Sequence, residues 1–182
     1  MGNRAGSLNT ALRRLWADHV IWTRQYIVAA VGNTADAPAA AGRLLKNQED
    51  IGGAMVPFYG ESAGAALTEV LKQHIMIAVD LIDAAKAGDQ AKFAAEDAKW
   101  TRNAEEIADL LSGANPANWP KKDVVDLLGI HLSLTKEEAV ARLEQQWEAD
   151  VEAFDQIFTE ILTLSDVLAG GIVKQFPDRF LD

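Results

Sequence analysis

The chain has no cysteine among its 182 residues. That absence excludes a disulfide scaffold, a thiolate zinc site, an iron–sulfur cluster and a cysteine nucleophile. Positive charge is also short. Seventeen Lys and Arg stand against 27 Asp and Glu, for a net charge of −10. A nucleic-acid binder needs a basic face, so no nucleic-acid partner is expected. No apolar run approaches the ~20 residues of a membrane span, and no membrane is expected. The first residues, Met1 to Ser7, lead into a mixed apolar and basic pattern without the apolar stretch of a signal peptide. A soluble cytoplasmic protein is the default expectation. No serine sits in a Gly-x-Ser-x-Gly context and no phosphate-binding glycine loop occurs, so the usual nucleophile and nucleotide signatures are missing.

What is present is helical. Ala, Leu, Glu, Lys and Gln dominate, all good helix formers. Of all residues, 49% are hydrophobic, enough for one chain of this length to bury a core. Apolar residues recur at helical spacing nearly everywhere, and no period of two persists. The pattern runs Leu12, Leu15, Trp16, His19, Trp22, Ile27, and fades at Gly32-Asn33. A second segment opens at Asp36 with Pro38 in its first turn and should stop before Pro57. Tyr59-Gly60 turns the chain. A third runs from Leu67 through His74 to Ala85 and ends at Gly88. A fourth carries Phe93, Trp100, Ile107 and Leu111. Asn115-Pro-Ala-Asn-Trp119-Pro120 reads as a rigid connection. A fifth holds Val124, Leu128, His131 and Leu132. Thr135-Lys-Glu-Glu138 has the form of a capping box, so this helix is open to a break there. A sixth carries Val151, Phe154, Phe158, Ile161 and Leu168, and closes at Gly170-Gly171 or runs on to Phe176-Pro177. The expected fold is all-α: a single domain over 1–182, about six helices in an up-down bundle.

The three histidines supply an internal repeat. They fall at 19, 74 and 131, each mid-helix among apolar neighbours. Asn47-Gln-Glu-Asp50-Ile51 lines up with Asn103-Ala-Glu-Glu106-Ile107 at similar distances beyond His19 and His74. The third histidine has Glu160 at a gap of 29, and Asp166 a little later, but no Asn. The chain therefore reads as three αα-hairpin pseudo-repeats, over about 10–56, 61–113 and 120–176. Helices rise about 1.5 Å per residue, so a turn some 13 residues beyond each histidine brings the return helix back to the same level. This counting places His19, His74 and His131 in one layer, with Asn47 and Asp50, and Asn103 and Glu106, alongside.

Polar groups at one depth of an apolar bundle must be paired. Two arrangements satisfy them. In one, each histidine bonds the carboxylate or amide of its own hairpin and fixes helix register. In the other, imidazoles and carboxylates converge on a divalent metal, for which zinc, iron, manganese or nickel would suit the donors. The ligands expected are then His19, His74, His131, Asp50 and Glu106. There is no Glu-x-x-His and no pair of histidines on one helix, so neither a di-iron bundle nor a hemerythrin-type centre is indicated. General acid–base work by a His–carboxylate pair is chemically open, but no motif names a substrate or small-molecule ligand, and no catalytic residue is assigned. Trp16, Trp22, Trp100 and Trp147 are expected in core packing. Gly52-Gly53 in the second helix suggests a close approach by a neighbour. Ile157, Phe158, Ile161, Leu162 and Leu164 cover more than one side of the sixth helix, a candidate homodimer face.

Asp18-His-Val-Ile-Trp-Thr-Arg24, Asn47-Gln-Glu-Asp-Ile-Gly52, Phe58-Tyr-Gly60, Asn115 to Pro120 and Gln175-Phe-Pro177 together resemble a family of small bacterial helical proteins. The resemblance implies a compact helical bundle and carries no assigned activity. In outline the architecture is also similar to ferritin-like and DinB-like metal-binding bundles, at the level of fold.

Overall fold

A computed structural model describes residues 3–181. Helix α1 spans Asn3–Val31, α2 Ala37–Ala87, α3 Gln90–Ala114, α4 Lys121–Leu143 and α5 Trp147–Gln175, followed by a short 3-10 helix, Pro177–Phe180. No strand occurs among the described residues. The fold is all-α, with five helices rather than about six. The reason lies at one residue. Gly60 takes φ 84 and ψ 168, a conformation open essentially to glycine alone, and the helix resumes immediately after it. Pro57, three residues earlier, lacks an N–H and weakens the turn before the break. The expected turn at Tyr59-Gly60 is thus a kink that divides α2 into a first arm (37–59) and a second arm (61–87).

The other boundaries follow local chemistry. α2 starts with Pro38 in its first turn and ends at Gly88, whose φ of 68 closes the helix in the left-handed region. The Asp89 side chain accepts from the Lys92 amide at 3.0 Å and caps α3. α4 runs unbroken past Thr135. The Thr135 hydroxyl is spent on the His131 carbonyl at 2.8 Å, and Glu138 pairs with Arg24, so neither side chain caps. The chain reverses at Gln145, with φ 59, and α5 continues to Gln175.

The helices close a ring. α1 packs on α2, α2 on α3, α3 on α4, α4 on α5, and α5 returns to α1. The two arms of α2 come together at Gly52 and Gly64. A Cβ on Gly52 would sit 2.6 Å from the Gly64 carbonyl oxygen and closer still to the Thr68 hydroxyl, whereas Gly53 faces open space. At the same end as the kink, Trp119 is fully enclosed and donates its indole N–H to the Val167 carbonyl at 3.2 Å. Asn115 donates to the Gly171 carbonyl at 3.0 Å, and the Tyr59 hydroxyl donates to Gln175 at 2.6 Å. The 115–120 connection is pinned by these bonds.

Trp16 and Trp100 are core residues, but Trp147 is not: it stands 48% exposed, with Arg142 over its ring at 4.8 Å. Ile157, Ile161 and Leu164 of α5 are buried within the chain, so its more exposed apolar residues are Trp147, Val151 and Val167. By length and composition alone α5 is apolar enough to cross a bilayer; 44% of the qualifying window is buried inside the bundle.

Candidate functional site

The apolar core comes in two clusters. The larger gathers Leu12, Trp16, Ile51, Leu71, Trp100, Ile107 and Leu128 with much of α5. The smaller gathers Tyr26, Ile27, Ala30, Ala40, Ile82 and Ala139 near the α1–α2 connection. Between them lie the three histidines. His19 comes from α1, His74 from the second arm of α2 and His131 from α4, and all three are buried. Their ring centroids are 5.6 Å (His19–His131), 6.2 Å (His74–His131) and 6.4 Å (His19–His74) apart. Three separate segments therefore deliver one imidazole each to a common point.

Each ring is held at Nδ1 by a side chain from the next segment. Gln48 Nε2 reaches His19 Nδ1 at 3.2 Å, Asn103 Oδ1 reaches His74 Nδ1 at 2.9 Å, and Glu160 Oε2 reaches His131 Nδ1 at 3.1 Å. The sequence separation is 29 in every case. Donor roles follow from the partners. The Asn103 amide N–H is committed to the Val70 carbonyl at 3.0 Å, so its oxygen faces the ring and His74 donates from Nδ1. A carboxylate only accepts, so His131 also donates from Nδ1. Both rings keep a bare lone pair on Nε2, the edge turned away from the anchor. At His19 the Gln48 amide donates and the ring proton sits on Nε2. On the first arm of α2 two residues divide the work of Asn103: Gln48 meets the ring, and Asn47 donates to the Leu15 carbonyl at 2.9 Å.

Asp50 and Glu106, two of the five expected ligands, are elsewhere. Asp50 pairs with Lys46 at 2.9 Å on the bundle surface, and Glu106 is exposed. Two residues along a helix turn a side chain to the far side, so Asp50 faces away where Gln48 faces in. Asp166, the acid that follows Glu160, pairs with Arg13 at 2.6 Å on the surface. Among the described residues Glu160 is the one carboxylate hydrogen-bonded to a ring of the layer, and its Oε1 is buried without a hydrogen-bond partner, as is Gln48 Oε1.

Burial dominates the electrostatics. It holds the His74 imidazole down at about 3, with the neighbouring His131 adding to the effect. His19 is pushed well below the ordinary imidazole range by burial and by both other histidines. The Trp100 indole donates to the His74 carbonyl at 3.1 Å, with its ring 5.0 Å from the imidazole. The Thr23 hydroxyl donates to the His19 carbonyl at 2.7 Å, as Thr135 does for His131.

Above the layer opens a cavity of ≈ 20 Å³, bounded by the three histidines and by Leu44, Ile75, Ala78, Ile82, Thr23, Thr135 and Ala139 among others. Lys136, ion-paired with Asp97 at 2.8 Å, stands at its edge. Tyr26, Ala78 and Ala139 place this space on the side of the layer toward the 32–36 and 144–146 connections.

A second buried polar group lies one step further along α4 and was not singled out from the sequence. Arg24 binds Glu138 at 2.6 Å and Asp150 at 2.9 Å, and Arg142 binds Asp150 at 3.1 Å. Both carboxylates are about 1% exposed. Burial pushes the Glu138 carboxyl up to about 7 against the opposing pull of Arg24. The signal was present: residues 131, 135 and 138 share one helical stripe.

Among the described residues, no group of three or more His, Asp or Glu side chains already stands in metal-holding geometry. Comparison of the chain with protein-family models, curated proteins and solved structures finds no match in any of the three.

Proposed function

We propose that the protein is a binding protein whose centre takes up a divalent transition metal on His19, His74 and His131. The observation that carries this reading is the convergence of three imidazoles from three segments, each anchored at Nδ1 from outside. Outer partners that accept the Nδ1–H, as Asn103 and Glu160 do for His74 and His131, orient metal-ligating histidines and free Nε2; His19 joins them once the Gln48 amide turns its unpartnered Oε1 to the ring and the proton moves to Nδ1. Two of the three rings carry the bare Nε2 that a metal needs. The donor set is neutral nitrogen with one outer carboxylate, which suits zinc, iron or nickel better than manganese, a lover of oxygen ligands. Asp50 and Glu106 are no part of this centre.

Imidazoles bound at about 2.0–2.1 Å in a tetrahedral site would have centroids about 5 Å apart. The rings must therefore close by roughly 0.5–1 Å on the ion, a small rotation for side chains bordered by a cavity. The same spacing favours a second reading, in which the three pairs are clamps of helix register with no ion. The equal intervals of 29 residues support reading the chain as three αα-hairpin units of common plan, the first two closed by amides and the third by a carboxylate.

The test is elemental analysis of the purified protein, then calorimetric titration with zinc, iron(II) and nickel. A stoichiometric ion lost in His74→Ala and kept in Asp50→Ala and Glu106→Ala supports the centre. A protein that takes up none of these metals, yet is destabilised by His74→Ala, is the clamp protein.

A further inference from the structure

α4 has more apolar surface than the core takes up. Val124, Leu128 and Leu132 are buried against the bundle. Leu127, Ile130 and Leu134 form a separate stripe at helical spacing, and they line a groove of ≈ 600 Å³ on the outer side of the α4–α5 pair. Its opposite wall is Glu152, Asp155, Thr159 and Thr163 of α5. The surface continues past Asp155 to Trp147 and Val151, and past Gln156 to Val140 and Glu137. Eight large apolar side chains are exposed among the described residues, and four of them, Ile130, Val140, Trp147 and Val151, lie on this one surface. Single exposed apolar residues need no explanation, but a contiguous set marks a contact surface.

Its charge has one sign. Five carboxylates line it, those of Glu137, Glu148, Glu152, Asp155 and Glu160. The cations at its border are committed elsewhere, Lys136 to Asp97 and Arg142 to Asp150. On other faces surface acids have cations of their own, as Glu49 has Lys72, Asp109 has Lys121 and Asp166 has Arg13. Glu148, Glu152 and Asp155 have none among the described residues. Glu160 sits in the groove wall with its side chain 7% exposed; one oxygen meets His131, and Oε1 is buried without a partner. A carboxylate oxygen so enclosed calls for a donor from outside the chain.

These features select the occupant. From Leu127 to Val140 the surface runs about 20 Å, the length of a helix of about four turns. The cleft between two neighbouring helices is the shape that receives a third. A second copy packed symmetrically would set these carboxylates against their own counterparts, and an anionic lipid surface would meet the same repulsion. We propose that the outer groove between α4 and α5 is a docking site for a basic amphipathic helix of a partner protein. The apolar side of that helix lies over Ile130, Leu134 and Val151, and its lysines or arginines face Glu148, Glu152 and Asp155 and reach Oε1 of Glu160. The site is independent of any metal at the histidines.

The experiment uses the full chain and a fluorescein-labelled peptide of leucine and lysine, about 14 residues long, with leucine at helical spacing. Fluorescence anisotropy at about 0.15 M ionic strength measures its affinity. Saturable binding is expected, about tenfold weaker in Glu152→Lys/Asp155→Lys and in Ile130→Ser. It is expected to be unchanged in Glu105→Lys/Glu106→Lys, which shifts the net charge equally at two exposed positions of α3. Val151→Ser is the second apolar variant, and circular dichroism verifies that each is folded. No binding to the wild type, equal weakening by the α3 pair, or equal affinity for a peptide of the same composition without helical spacing overturns the proposal. A dimer of the chain alone in sedimentation, lost in Ile130→Ser, would seat a second copy there and overturn it as well. Adsorption to phosphatidylglycerol vesicles, lost in the same variant, would make the face a lipid contact and overturn it too.

Discussion

His131 and Glu160 stand 29 residues apart in the chain and 3.1 Å apart across the α4–α5 interface, and theirs is the one pair of the three closed by a carboxylate. Gln48 and Asn103 hold the other two rings with amides. Glu160→Gln converts the third pair to the type of the first two while keeping an acceptor for His131. Zinc affinity is expected to fall about 10–100-fold, the usual cost of losing an outer partner of a ligand. Calorimetric titration measures it. Unchanged affinity in a folded variant would show that the carboxylate contributes nothing to the centre.

Burial of His19 and His74 makes stability sensitive to acid. Both rings have folded values below the ordinary imidazole value, His74 at about 3. The unfolded chain then binds more protons between about pH 3 and 6.5. Stability is complete above about pH 6.5 and is lost as the pH falls toward the folded values. Urea denaturation of the metal-free protein at pH 7 and pH 5 should show a lower midpoint at pH 5, with a smaller difference in His74→Gln.

Glu138 acts in the opposite sense. Its carboxyl is raised to about 7, so the folded chain holds a proton that the unfolded chain has released above about pH 4.5. Its contribution is full below about pH 4.5 and is lost as the pH rises through 7. The two effects offset each other between about pH 4.5 and 6.5. Glu138→Gln removes one of them, and its stability should climb more steeply from pH 5 to pH 7 than that of the wild type. The same denaturation series decides this, and parallel profiles would sink the assignment.

Arg24 is the shared partner of two enclosed carboxylates. Arg24→Ala leaves Glu138 without its cation and Asp150 with Arg142 alone. Removing one partner of a buried pair typically costs about 3–5 kcal/mol. Thermal or urea unfolding at neutral pH should show a loss of that order, and a change below about 1 kcal/mol would place the network among weak surface pairs.

Adjacent glycines in α2 should respond in opposite directions. A methyl group on Gly52 meets the backbone of Gly64 and the Thr68 side chain, so Gly52→Ala forces the two arms apart, at about 1–3 kcal/mol or more. Gly53 faces open space, and Gly53→Ala should stabilise by up to about 1 kcal/mol through helix propensity. Equal melting temperatures for the two variants would contradict the crossing geometry.

How much of this was legible in the residues differs from feature to feature. Helical periodicity is local, so the all-α class and most helix ends could be read from Pro38, Gly88, Asp89 and Pro120. The level of the histidines was also legible, because rise per residue is constant and 19, 74 and 131 are spaced by nearly equal lengths of chain. The face was not. Level depends on counting, but facing depends on how each helix is rotated against its neighbours, and a shift of two residues exchanges Gln48 for Asp50. The Thr135–Glu138 segment shows the same limit: it has the spelling of a helix start, yet Arg24 from α1 claims Glu138 and the helix runs through. The sequence by itself determined an all-α chain in which three separate helical segments each carry a histidine to one depth. Only the tertiary structure decided which groups meet those rings, how the two helical arms on either side of Gly60 pack at Gly52 and Gly64, and that a small space remains above the layer, because each is settled by contacts between segments far apart in the chain.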